Sequence, residues 1–317
     1  MEIPSIDDSP LTGLVGPILR TFEKAVDVST LSKAVNQGAI DSAIHFEQSA
    51  KLPHAYSPTG LAPWSMRVGV AYLEGLWAYS CGLLLWQENQ MRLAAQEWKQ
   101  RLPSNGLEFN QSLEHAEQLI VWACSLPTAY TRWPLALPSP DLRTLPKDYR
   151  DLAEKTATIF RVAVAWLLHH EFAHAQYRHG VHGIPESERL EQEKDADIVA
   201  YSRFFDDSSS EGDRRLMGWS ILVPHLYALA AAPSPASLFA DRHLHVHHRL
   251  AHALAHLNFR DPHNQDYFGA LCADAVRTFY IKNDINPRLG SGPKFPRVND
   301  YFQYLVDGLD AFDPDRS

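Results

Sequence analysis

An almost unbroken apolar run, Ile159-Phe160-Arg161-Val162-Ala163-Val164-Ala165-Trp166-Leu167-Leu168, leads directly into His169-His170-Glu171-Phe172-Ala173-His174. No glycine or proline interrupts residues 147–179, so the segment reads as one helix from about Lys147 to His179, with Gly180 as a left-handed C-terminal cap. A helix this apolar must be buried. Burying two imidazoles and a carboxylate without partners costs on the order of several kcal/mol, and a metal ion is one partner that removes that cost.

His170 and His174 are four residues apart, which places them one turn above each other and only about 40° apart around a helix. Both imidazoles can then reach one zinc ion, Zn2+. Glu171, beside the first histidine, is placed to take the proton of a water that attacks a carbonyl. Zinc used in catalysis needs a third protein ligand and one open position. Metzincins take that ligand from a histidine six residues past the second motif histidine, where this chain has Gly180; His179 is one residue short and on the wrong face. A glutamate from the following helix is the alternative. In Glu191-Gln192-Glu193-Lys194-Asp195-Ala196-Asp197-Ile198-Val199-Ala200, the positions Glu193, Ala196, Asp197, Ala200 and Phe204 share one face. Glu193 can bind the metal, with Glu191 as the other candidate, and Asp197 can accept a hydrogen bond from the second ring nitrogen of a ligand histidine. On composition alone, the acidic stretch Glu186-Ser187-Glu188-Arg189-Leu190-Glu191 reads as the solvated start of a helix. The HExxH upstream changes that reading.

His-Glu-Phe-Ala-His at 170–174, followed by Glu193-Lys194-Asp195-Ala196-Asp197, resembles the gluzincin pattern of HExxH, short connector and ExxAD. It is most similar to the phage-exclusion Lit-type peptidases, a bacterial cytoplasmic family of mainly helical zinc endopeptidases. The specific likeness covers roughly residues 155–255, and Ala71-Tyr72-Leu73-Glu74-Gly75-Leu76-Trp77-Ala78-Tyr79 is similar in character. The resemblance implies His170, His174 and Glu193 as zinc ligands, Glu171 as base and Asp197 as the residue behind a ligand. It also implies a defence or toxin-like protease that cuts a host protein when triggered, a translation factor being one candidate. Such a protease needs restraint at rest, for which the connector at 127–146, the N-terminal helices and a regulatory partner are the candidates. Related gluzincins carry a histidine and then an arginine after the ligand helix. His243 and Arg249 fit that spacing, without the intervening prolines, as groups that stabilise an oxyanion or support the ligands. The neighbouring His245, His247, His248, His252 and His256 read mainly as surface or hydrogen-bonded helix residues, with His247 the next candidate after His243.

The remainder of the chain reads as mainly α. Helices are expected over 13–36, 64–101, 113–123, 185–205, 214–232, 238–258 and 265–280, with a short last helix and Thr278–Ile281 as the one tempting strand. Prolines at 127, 134, 138, 140 and 146 make an irregular connector between an N-terminal helical region, 1–126, and a zincin-like catalytic region, 147–317. The most apolar stretch, Gly69 to Trp86, contains Glu74 and reads as a core helix rather than a membrane span. A net charge of −9 argues against nucleic acid or an anionic membrane as a partner held by the overall field. Three dispersed cysteines, Cys81, Cys124 and Cys272, and a start without a signal-peptide pattern point to the cytoplasm. Gly-rich phosphate loops and nucleophile elbows are absent. The expectation is therefore a zinc metallopeptidase of gluzincin type. The rival is a non-catalytic regulator or peptide-binding protein with a structural zinc.

Overall fold

The computed structural model describes residues 2–26, 28–57, 62–97, 109–141, 147–177, 179, 185–204, 209–239, 245–285, 295 and 297–312. Among these the protein is mainly helical, with ten α-helices and one three-stranded sheet. It divides into two compact units, Met1–Gln176 and Tyr177–Ser317.

The first unit opens with α1 (Thr12–Ala25) and α2 (Val28–Asn36) where one helix is expected from the sequence. The break follows from Val26, which is extended at φ −86° and ψ 136°. Three strands come next: β1 (Ile40–Glu47), β2 (His54–Tyr56) and β3 (Trp64–Gly69). The order is β1-β3-β2, with β1 parallel and β2 antiparallel to the central β3. The expected helix over 64–101 therefore begins as a strand. Every residue of β3 except Arg67 is buried, so the strand lacks the polar alternation that would reveal it.

The strand ends at Gly69, where a Cβ would lie 2.6 Å from the carbonyl oxygens of Ser49 and Lys51. The long α3 (Val70–Glu97) follows, buried without interruption from Val70 to Leu83. A helix apolar on all sides is a core helix. Its one charged residue in that stretch, Glu74, is 1% exposed and accepts from Ser9 Oγ (2.8 Å) and Tyr130 OH (3.0 Å). Against α3 lies α4 (Phe109–Ser125), approached closely at Gly82, where a Cβ would be 2.9 Å from the Ala116 carbonyl oxygen. Turns occupy the proline-rich stretch as far as Asp141, and α5 (Lys147–Tyr177) then carries the HExxH.

The second unit holds α6 (Glu186–Phe204), α7 (Glu211–Ala231), α8 (Val246–Leu257), α9 (Pro262–Lys282) and α10 (Val298–Leu309). Ser210 and Asp213 form a reciprocal capping box at the start of α7. That helix is buried from Ser220 to Tyr227 and packs on α8 and α9, with Gly218 leaving room for the stacked rings of Phe259 and Phe268. Thr278–Ile281 lies in α9 and not in a strand. Val276, Phe279 and Tyr280 are buried at helical spacing, so packing of that face overrides the local β preference. The three cysteines form no disulfide, and among the described residues no helix is long and apolar enough to cross a membrane.

Candidate active site

In the first unit, α5 sets the geometry. Its apolar turns bury Ile159, Phe160 and the stretch from Val162 to Leu168, so the helix is anchored where the motif begins. His169 donates from Nε2 to the Phe22 carbonyl oxygen of α1 at 3.0 Å and lies against the Phe22 ring, a packing role. His170 is 2% exposed and His174 half-buried, with their Nε2 atoms 3.0 Å apart. Two nitrogens bound to one tetrahedral zinc at about 2.0–2.1 Å would stand about 3.3 Å apart, so the pair fits such an ion with a shift of a few tenths of an ångström. The donors are also chemically apt, because imidazole suits zinc better than it suits magnesium or calcium.

Glu171 projects from the same turn, its Oε1 3.9 Å from His170 Nε2. Its Oε2 accepts the backbone N–H of Ala55 at 2.6 Å. Ala55 sits in the edge strand β2, paired with Met66 of β3. The sheet thus reaches the carboxylate by a backbone donor, a contact with no signature in the sequence.

In the second unit, α6 presents Glu193 (7% exposed), Ala196, Asp197 (2% exposed) and Ala200 as buried residues of one face. Glu191 is exposed and pairs with Lys194 at 2.7 Å. Burial therefore separates the two candidate ligands and favours Glu193. Asp197 is gripped by Arg249 of α8, which donates from Nη2 to Oδ1 (2.6 Å) and from Nε to Oδ2 (3.1 Å). Burial opposes the Arg249 charge, but the carboxylates of Asp197 and Glu193 outweigh it and hold the guanidinium firmly protonated. Tyr201, fully enclosed beside Asp197, has its phenol pushed well above the ordinary tyrosine range, first by burial and then by that carboxylate.

His243 lies outside the described residues. His256 stacks on Tyr201 with ring centroids 4.7 Å apart, and burial lowers the pKa of His252. His247 and His248 turn their Nε2 atoms to Asp310. Of the residues expected from the sequence, the structure joins His170 to His174 and Asp197 to Arg249. The contacts to Ala55 and Asp310 come from distant backbone and side-chain groups that local patterns do not reveal.

The family model of peptidase U49 matches residues 67–270. The chain is also similar to the "Cell death peptidase" of Escherichia coli (strain K12), with 28% identity over 240 residues, 72% of this chain and 74% of that protein. No solved structure matches it.

Proposed function

The chain belongs to the peptidase U49 family, and on that premise we propose that it is a zinc-dependent endopeptidase of gluzincin type that cuts a cellular protein. The His170–His174 pair, with Nε2 atoms 3.0 Å apart beside Glu171, is the observation that carries the reading. His170, His174 and Glu193 would hold the metal. When bound there, zinc would polarise the scissile carbonyl and make water more acidic.

The chain's own residues do the rest. Glu171 takes the proton of the attacking water and later gives it to the leaving amine. The Ala55 N–H fixes one carboxylate oxygen of Glu171, leaving Oε1 for the proton. Arg249 holds Asp197, which pins the face of α6 that presents Glu193. The name of the E. coli relative supports a substrate whose cleavage harms the cell. The Lit-type resemblance makes a translation factor the first substrate to try.

Glu171→Gln tests the reading. The variant should fold and keep its metal while cleavage falls by about 10²–10⁴-fold. Wild-type cleavage in this variant would refute Glu171 as the base.

A further inference from the structure

A second group of histidines stands apart in sequence from the HExxH. His245 borders α8 at its N-terminus, and His247 and His248 lie in its first turn. Each offers a ring nitrogen, and the three atoms lie within 4.8 Å of one another. The rings pack closely, with 4.4 Å between the centroids of His247 and His248. Asp310, just after α10, places Oδ1 2.9 Å from His247 Nε2 and 2.8 Å from His248 Nε2. A carboxylate only accepts, so these Nε2 atoms carry the protons, and a neutral His247 ring then has its lone pair on Nδ1.

On His247, a fully buried side chain, that Nδ1 has no hydrogen-bond partner. An imidazole that gives its N–H to a carboxylate and keeps a buried, unspent lone pair has the arrangement of a metal ligand oriented by an outer carboxylate.

We infer that His245, His247 and His248 form a second metal site, for zinc or a similar divalent transition ion, separate from the ion assigned to His170 and His174. Three nitrogen donors exclude calcium and magnesium as natural occupants, since those ions take oxygen. The partly exposed His245 and His248 leave a way in for the ion. Once bound, it would tie the first turn of α8, through Asp310, to the end of α10.

The test uses the full chain carrying His170→Ala and His174→Ala, with zinc measured after dialysis and thermal unfolding followed with and without added zinc. This protein should retain about one zinc per chain, and zinc should raise its unfolding midpoint by about a few degrees. Adding His245→Ala and His248→Ala should abolish both effects, and adding Asp310→Asn instead should weaken binding about 10–100-fold. These positions are chosen because His247 is fully buried and its truncation endangers the fold. His245→Ala with His248→Ala in an otherwise wild-type chain should lose a single zinc and keep the other. The inference is overturned if the HExxH variant, folded by circular dichroism, takes up no zinc. It is also overturned if the cluster substitutions leave zinc content unchanged, or if they strip the wild-type chain of all its zinc.

Discussion

Arg249 and Asp197 meet as a bidentate pair, with side chains 15% and 3% exposed. Removing one partner of such a pair leaves the other charged and buried. Arg249→Ala should therefore cost about 3–5 kcal/mol of stability in urea unfolding, and Arg249→Met combined with Asp197→Leu should cost clearly less. Equal losses would show that the pair is not energetically coupled. Glu74 is a second buried ionisable group, and here pH is the probe. Burial raises its carboxyl above 4.5, while the Ser9 and Tyr130 hydroxyls pull it partly back. The fold thus prefers the protonated form. The stability this group contributes is complete below pH 4.5 and is lost as pH rises through the raised folded-state value. Glu74→Gln keeps a neutral, hydrogen-bonding group, so it should gain stability relative to wild type as pH rises from 4.5 to neutrality; a constant difference between the two would contradict this. The HExxH pair is legible in the sequence because helical spacing alone brings two imidazoles together. The Asp197–Arg249 pair is not, because its members are 52 residues apart and only the packing of α8 joins them. The Ala55 contact is less legible still, since a backbone amide at any residue looks the same.

Helices were readable where periodicity and breakers agreed. The stretch 147–177 has an apolar core and no glycine or proline, whereas α7 begins at Glu211, three residues before the expected 214, because the Ser210–Asp213 capping box draws the polar residues before it into the first turn. The sheet was hidden for two reasons. β3 is buried on both faces and runs straight into α3, so the apolar pattern does not change at Gly69. β2 has only three residues, too few for a pattern. The α3–α4 contact was equally silent, although Gly82 marks it once the structure is known. A side chain there would strike the Ala116 carbonyl oxygen and the Ile120 side chain, so Gly82→Val should destabilise the protein by about 1–3 kcal/mol in chemical unfolding. A neutral outcome would mean that the two helices can separate at little cost.

For the whole molecule, the two compact units divide the proposed machinery. His170, Glu171 and His174 belong to Met1–Gln176, whereas Glu193, Asp197 and Arg249 belong to Tyr177–Ser317. The family match over 67–270 includes residues of both units. The proline-rich stretch does not coincide with the division, which falls at the end of the HExxH helix. We propose that His170, His174 and Glu193 bind one zinc ion. Elemental analysis of zinc in the wild type beside His174→Ala and Glu193→Ala, all confirmed as folded, tests it most directly. Each variant should lose about one zinc per chain relative to wild type. Zinc content unchanged in either variant would contradict the ligand set.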